Sequence, residues 1–177
     1  MTGNGRHELT PCTGQAAVRD AFSRFPSGVA AVAAVVNGMP TVLVATSFAV
    51  GVSQDPPLVS FAIQRTSATW PVLSGAPTIG ISVLGEVHAH KVRQLGSKKQ
   101  QQRLDGLEIW AEPSGALFLD GAPVWLECSV EHTYPAGDHH LVVLRVLATA
   151  SNSGSIAVVW HESGCASLIA SGAGSQR

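Results

Sequence analysis

The sequence predicts one mainly β domain, an antiparallel barrel or sandwich with few, peripheral helices. Short apolar segments recur along the chain, and turn residues separate them. An Asn-Gly pair at residues 37–38 lies between two apolar segments, which is a strong signal for a β-hairpin. The 177 residues are enough for a single domain with a substantial core.

The individual elements follow from apolar periodicity and from Gly and Pro positions. Residues 15–25 predict an amphipathic helix, because Val18, Phe22 and Phe25 share one face and Pro26 follows. We expect helical structure also at residues 69–73 and 86–95, and a turn at residues 134–138. Strands are predicted at residues 29–36, 41–45, 58–63, 78–84, 126–133, 140–148 and 156–160. The expected organisation is a disordered lead-in at residues 1–14, a domain at residues 15–170 and a flexible tail at residues 171–177.

Composition and charge exclude several classes of function. Charged residues make up 13% of the chain and the net charge is −1, which does not indicate nucleic-acid binding. The densest basic stretch, residues 91–103, is more typical of a solvated helix face or loop. No apolar run is long and pure enough to span a bilayer, and residues 1–15 lack the apolar core of a signal peptide.

Cysteine usage and low charge predict the compartment and the assembly. Cys12, Cys128 and Cys165 are an odd number without paired spacing, so neither a disulfide framework nor a metal site follows. We therefore expect a reducing, cytoplasmic location. A surface this poor in charge is often partly buried by a second subunit, and we expect a homodimer.

Hydroxyl-bearing residues cluster in the links between predicted strands. The links contain Thr-Ser-Phe at residues 46–48, Ser-Gln-Asp-Pro-Pro at residues 53–57 and Gln-Arg-Thr-Ser-Ala-Thr-Trp-Pro at residues 64–71. Hydroxyls and loop N–H groups bind phosphate oxygens without adding net charge, and Arg65 adds a planar guanidinium. Composition alone favours ordinary turn residues, since Ser and Thr are common in turns. The order of the three elements favours a binding site.

A second motif, Gly-Asp-His at residues 137–139, precedes an apolar strand. By itself, a turn histidine such as His139 is more often a surface residue than a catalytic one. Taken together, these motifs resemble the flavin reductase domain family of NAD(P)H:flavin oxidoreductases. The resemblance spans about residues 22–168. It implies an FMN-binding split β-barrel with Greek-key antiparallel topology.

The resemblance also implies a set of site residues. Backbone amides of residues 45–47 are expected at the flavin N5 and carbonyl edge, where reduction adds negative charge. Residues 64–69 are expected to hold the ribityl chain and phosphate, residues 82–84 to line the flavin, and Arg103 to lie near the phosphate. His139 is expected near the open face of the flavin, where it helps to place the nicotinamide. The expected cofactor-binding residues are Val44, Ala45, Thr46, Ser47, Gln64, Arg65, Thr66, Ser67, Thr69, Ser82, Val83, Leu84 and Arg103.

The reaction that the resemblance implies is hydride transfer from NADH or NADPH to the N5 atom of FMN, or of FAD. The flavin is expected at the subunit interface of a homodimer, and reduced flavin is expected to supply a partner monooxygenase. The residues decide neither between FMN and FAD nor between NADH and NADPH. A flavin carrier or sensor without turnover is the alternative from another class. An enzyme similar to pyridoxamine-phosphate oxidases is disfavoured by the two motifs.

The chain departs from the family pattern at four places, the first of which is Ser82, where Asn is more usual. One extra residue lies between Phe48 and Pro56, and Gly51 within that stretch predicts a bulge or a loop extension. Leu144 occupies a position where the family usually has Gly. His-Glu-Ser-Gly-Cys at residues 161–165 stands where many members have His-Arg-Gly-x-Tyr, so an acid replaces a base. This last departure motivates the carrier alternative.

Overall fold

The computed structural model describes Pro11 and residues 14–168. Most of the expected lead-in, Cys12 and the expected tail at residues 171–177 lie outside the described residues. The first element is helix α1, Gln15–Ser23, which ends two residues before the predicted end. Ten strands follow: β1 Ser27–Val36, β2 Met39–Gln54, β3 Pro57–Gln64, β4 Ile79–Val83, β5 Ile109–Ala111, β6 Leu117–Leu119, β7 Val124–Ala136, β8 His139–Ser151, β9 Val158–His161 and β10 Gly164–Ser167.

Six of these strands close into an antiparallel barrel. Their order is β1-β2-β3-β8-β7-β4, and β4 pairs with β1 to complete the ring. Because β4 lies beside β1 while β1, β2 and β3 follow one another, the arrangement β4-β1-β2-β3 is a Greek key. The predicted fold class, a mainly β split barrel with peripheral helices, is confirmed.

Strand β1 is buried on both faces, which explains its uninterrupted run of Ala and Val. Ala30, Val32 and Ala34 face the barrel interior and pack in the main core. Val29 and Ala31 face outward and pack in a second core. That second core includes α3, Val92–Leu95, together with residues of β6 and β9. A strand covered on both sides has no solvent face, so its sequence need not alternate.

Two hairpins show how local turn chemistry sets register. Asn37 and Gly38 adopt φ of 51° and 76°, and Val36 pairs directly with Met39, as the Asn-Gly signal predicts. The turn predicted at residues 134–138 is shorter than expected, since β7 continues to Ala136 and only Gly137 and Asp138 form the turn. The side chains before that turn alternate too little for the sequence to show that they remain in the strand.

The connection after β4 covers the outer side of β1. Glu86–Lys91 is a 3-10 helix that continues into α3, where a single helix is predicted. His88 fastens this connection: its Nδ1 accepts a hydrogen bond from the Gly85 N–H at 3.2 Å, and its Nε2 donates to the Asp120 carbonyl at 2.8 Å. Burial lowers the pKa of His88, which favours the neutral ring that makes both bonds.

Two kinds of feature, membrane-spanning helices and metal-binding clusters, are absent from the described residues. Among the described residues, no helix is long and apolar enough to cross a membrane. The same residues contain no cluster of His, Cys, Asp and Glu that could hold a metal ion.

Cys128 is buried in the barrel, and this burial raises the pKa of its thiol to about 12. An uncharged thiol in this position acts as a small apolar side chain.

Candidate functional site

A cleft of about 520 Å³ opens where β2, β3 and the segment after α3 meet. This volume lies within the range of about 300–1,000 Å³ that is usual for small-molecule sites. We call it the main cleft. Apolar and polar side chains both line it: Leu43, Val44, Ile63, Gln64, Thr66, Ser67, Ala68, Thr69, Gly96, Lys98, Gln100 and Arg103. Six of the thirteen residues expected to bind a cofactor are therefore brought together: Val44, Gln64, Thr66, Ser67, Thr69 and Arg103.

Arg103 is the most unusual residue of the main cleft, because its side chain is largely buried without an acidic partner. Its Nε donates to the Ser97 carbonyl at 2.7 Å, and its Nη1 donates to the Val42 carbonyl at 2.7 Å and to Thr69 Oγ1 at 2.9 Å. No carboxylate within the described part of the chain pairs with it. Burial lowers the pKa of Arg103, and arginine still stays cationic at neutral pH.

The remaining nitrogen of Arg103 is available to a ligand. Its Nη2 makes no hydrogen bond to any described residue, and it is not among the fully enclosed polar atoms that lack a partner. A buried cation needs a compensating negative charge. No Asp or Glu is among the residues that line the main cleft. This set of donors fits a phosphate group, and the apolar lining fits a planar ring.

Two hydroxyls support the same arrangement. Thr69 is buried, and its Oγ1 accepts hydrogen bonds from Arg103 Nη1 and from Gln100 Nε2. It therefore holds the guanidinium in place. Ser67 Oγ accepts from the Trp70 N–H at 3.2 Å, at the start of helix α2, Trp70–Leu73. The hydroxyl hydrogen of Ser67 remains free to donate to an anion.

The β2 ladder is interrupted where the sequence places the flavin-facing amides. Neither Thr46 nor Ser47 forms a ladder pair with β1 or β3 among the described residues. Ser47 instead uses its side chain: its Oγ accepts from the Ala62 N–H at 2.8 Å. A second irregularity follows between Ala49 and Ser53, where Gly51 has a φ of 75°, so the predicted bulge is confirmed. The Thr46 carbonyl accepts a hydrogen bond from the Ser27 hydroxyl, so the backbone N–H groups of residues 46 and 47 are the groups that this interruption can offer to a ligand.

The Gly-Asp-His turn lies beside the rim of the main cleft. His139 pairs with Gln64, which lines the cleft, and the Arg65 N–H donates to the Asp138 carbonyl at 3.0 Å. The His139 Nδ1 bonds the Asp138 carboxylate at 2.7 Å, and this hydrogen bond holds the pKa of Asp138 below its ordinary value. The carboxylate fixes the orientation of a half-exposed imidazole.

Several expected site residues lie outside the cleft lining. The Ser82 hydroxyl is fully buried and accepts from the Leu119 N–H at 3.0 Å, within the barrel wall. Leu84 packs in the second core, and Val83 borders the main core. The Arg65 side chain is exposed. For these residues, and for residues 45–47, flavin contact stays a prediction.

Sequence reasoning missed part of the lining. It treated residues 91–103 as a solvated helix face or loop, whereas Gly96, Lys98 and Gln100 line the main cleft. Leu43, Ile63 and Ala68 were not expected either. The useful signal was the concentration of Lys and Gln within residues 91–103, a stretch that itself contains no Asp or Glu. The direction in which that segment turns depends on α3 packing in the second core.

The divergent segment at residues 161–165 lies beside the end of α1 and not at the main cleft. It forms the hairpin between β9 and β10, with Glu162 and Ser163 at φ of 48° and 63°. The His161 Nε2 bonds the Arg24 carbonyl, and the Glu162 N–H donates to the Ser23 carbonyl at 2.7 Å. None of these residues lines the main cleft.

Comparison with known proteins identifies the family. Residues 22–168 match the model of the flavin reductase like domain. The chain belongs to this family. A curated relative, named actinorhodin polyketide dimerase, from Streptomyces coelicolor, is 38% identical over 75% of this chain and 74% of its own length. The NADH:FMN oxidoreductase of Rhodococcus erythropolis is 36% identical over 81% of this chain and 77% of its own.

A solved structure agrees with the fold, and a further sequence relative is a reductase subunit. The NADH:FAD oxidoreductase SgcE6 of Streptomyces globisporus, solved with NAD and FAD fragments, superposes with a TM-score of 0.83 at 25% identity. The superposition covers 93% of this chain and 99% of SgcE6. The reductase subunit HsaB of a flavin-dependent monooxygenase from Rhodococcus jostii is 28% identical over 72% of this chain and 65% of its own length. The relatives of this chain therefore include a protein named as the reductase subunit of a monooxygenase.

Proposed function

We propose that this member of the flavin reductase like family oxidises NADH or NADPH and reduces FMN or FAD. The observation that carries the proposal is Arg103, a buried cation without an acidic partner in a cleft that also has an apolar lining. A flavin has a planar ring and a phosphate, which match the two parts of that lining. Relatives named as NADH:FMN and NADH:FAD oxidoreductases support the same activity.

The chemistry divides between the ligand and the chain. A flavin bound in the main cleft would supply the redox chemistry, as the acceptor of the hydride that the reduced nicotinamide gives up. The chain binds and orients: Arg103, Ser67 and Thr69 hold the phosphate end, and the interrupted ladder at residues 46–47 offers backbone groups to the ring. His139, fixed by Asp138, helps to place the nicotinamide. Such alignment lowers the barrier without an acid or base acting on the hydride.

The assembly belongs to the same proposal. We infer a homodimer with the flavin near the subunit interface, and a partner monooxygenase that receives reduced flavin. Phe22 on α1 and Phe25, two residues after its end, support the dimer, since both side chains are 73% exposed in the single chain. Relatives that are reductase subunits support the partner. The cytoplasmic location stays a prediction.

The decisive test is nucleotide oxidation by the purified protein. NADH and NADPH consumption would be followed at 340 nm with no flavin, with FMN and with FAD, against blanks without protein. We expect oxidation that depends on flavin, and the ratio of the two rates identifies the preferred donor. Flavin binding without turnover on either nucleotide would contradict the reductase and support the carrier. Absence of flavin binding would reject both.

His139→Ala is expected to raise the KM for the nicotinamide nucleotide about tenfold, with little change in flavin affinity, because it removes one positioning hydrogen bond. His132→Ala is the matched control, since His132 is an exposed histidine on β7 away from the cleft lining. Steady-state kinetics and a flavin titration measure both variants. Equal KM values in the wild type and in His139→Ala would remove His139 from the nucleotide site.

A further inference from the structure

A small cavity lies between the β5–β6 hairpin and the paired strands β7 and β8. Its volume is about 200 Å³, and none of its lining residues lines the main cleft. We call it the aromatic pocket. Its lining consists of aromatic, acidic and small residues: Trp110, Glu112, Phe118, Trp125, Glu127 and residues 148–150. A cavity smaller than the usual range of about 300–1,000 Å³ suits a compact group and not a fused ring system.

Two strands each supply an indole and a carboxylate to the aromatic pocket. Trp110 lies on β5, and Glu112 directly follows that strand. Trp125 and Glu127 lie on β7. Residues two positions apart on extended chain point to the same face of a sheet. Each strand therefore presents a tryptophan and, two residues later, a glutamate to one cavity.

The aromatic rings of the pocket are held at fixed angles to one another. The centroids of Trp110 and Phe118 lie 4.4 Å apart with an interplanar angle of 31°, and those of Trp110 and Trp125 lie 6.4 Å apart at 60°. The Trp125 Nε1 donates to the Leu119 carbonyl at 2.7 Å, which fixes its indole. Trp110 is 39% exposed, so the ring cluster is open to a ligand. Aromatic faces carry negative potential and attract cations.

The two carboxylates of the pocket have no cationic partner. Glu112 is exposed and Glu127 is half-buried, and neither forms an ion pair with a described residue. No Lys, Arg or His lines the pocket. A partly desolvated carboxylate favours a nearby positive charge. Packing of the β5–β6 hairpin accounts for the stacked rings, but it does not account for two unpaired carboxylates beside them.

We propose that the aromatic pocket binds an alkylated ammonium group, as found in choline or in a methylated lysine side chain. Such a group combines a positive charge with an apolar methyl surface, and aromatic rings recognise it through cation–π attraction. The carboxylates of Glu112 and Glu127 add Coulombic attraction and repel anions. The aromatic pocket is therefore a second ligand site, which is separate from the main cleft and selects the opposite charge.

Choline titration followed by heteronuclear NMR of the indole N–H groups tests this inference. We expect the Trp110 and Trp125 resonances to shift, and those of Trp70 and Trp160 to stay in place, because only the first two line the aromatic pocket. Sodium chloride at equal ionic strength is the blank. Dimethylbutanol, the neutral isostere of choline with carbon in place of nitrogen, should cause no shift at the same concentrations.

Glu127→Gln is expected to raise the Kd of choline about three- to fivefold, because it removes one charge and keeps the shape of the side chain. Trp110→Leu should raise this Kd about tenfold through the loss of a cation–π contact. The matched control is Glu108→Gln, which makes the same charge change at an exposed residue directly before β5 that does not line the pocket. Thermal unfolding compares the stability of the variants. Glu127→Gln tests the charge even where Trp110→Leu disturbs the hairpin.

The possible outcomes separate this inference from simple packing. Choline shifts confined to Trp110 and Trp125, and weakened by Glu127→Gln but not by Glu108→Gln, would support it. Equal responses to choline and dimethylbutanol, or no response, would overturn it and leave the ring cluster as packing of the hairpin. A glycine-flanked trimethyllysine peptide distinguishes the two sources of the group, since tighter binding of the peptide than of choline indicates a protein side chain. None of these measurements requires bound flavin, so they are independent of the proposed reductase activity.

Discussion

Arg103→Met is expected to weaken FMN binding about 100-fold and to leave riboflavin binding nearly unchanged. The guanidinium is buried, lacks an acidic partner among the described residues, and keeps Nη2 free of protein hydrogen bonds. A hydrogen bond to a charged group contributes about 1.5–3 kcal/mol, and only FMN carries the phosphate. Calorimetric titration with FMN and riboflavin measures the difference.

The structural role of Arg103 requires a second variant. Its bonds to the Ser97 and Val42 carbonyls also tie the segment after α3 to β2. Arg103→Lys keeps the positive charge but loses the planar set of guanidinium N–H donors. We therefore expect an intermediate loss of FMN affinity, about tenfold. Equal losses for FMN and riboflavin in both variants would show that Arg103 only supports the fold.

Arg65 distinguishes the two candidate phosphate ligands. The sequence predicts that Arg65 binds the phosphate, whereas in the structure its side chain is exposed and does not line the main cleft. Arg65→Ala is therefore expected to change FMN binding less than Arg103→Lys does. A loss that is selective for FMN in Arg65→Ala alone would move the phosphate to the outer rim of the cleft.

Gly80→Ala is expected to destabilise the protein by about 3 kcal/mol, the largest effect on stability that we predict. Gly80 lies on β4 directly beneath β6, and an added Cβ would come within 2.8 Å of the Leu117 carbonyl carbon and 2.9 Å of its nitrogen. Both strands belong to the packed core and cannot separate without losing contacts. Thermal unfolding followed by circular dichroism measures the change.

Gly75→Ala is the matched control for this prediction. Its Cβ would meet only the Val72 carbonyl oxygen, at 3.7 Å, which is ordinary contact. We expect a change within about 0.5 kcal/mol. Similar melting temperatures for Gly80→Ala and the wild type would show that β6 can move away from β4.

Local sequence patterns were sufficient to predict most of the strands of the barrel. The Ala/Val run of β1, the Asn37-Gly38 turn and the alternation in β7 each predict the observed element. Strands β5, β6 and β10 were missed, because they have three or four residues each. Such short segments lack a measurable period, and their extended backbone depends on pairing within their hairpins.

For the candidate site, too, some features could be predicted from the sequence and others depend on the tertiary structure. The sequence by itself determined the family motifs, the hydroxyl-rich link at residues 64–71 and the chemistry that these imply. The resemblance already implied that Arg103 lies near that link. Only the tertiary structure decided that Lys98 and Gln100 line the same cleft, and that Ser82 bonds Leu119 within the wall. Residues about 30 positions apart meet because α3 and β6 pack on the outer face of β1. A motif records residue types, whereas a cleft depends on long-range packing that no local pattern encodes.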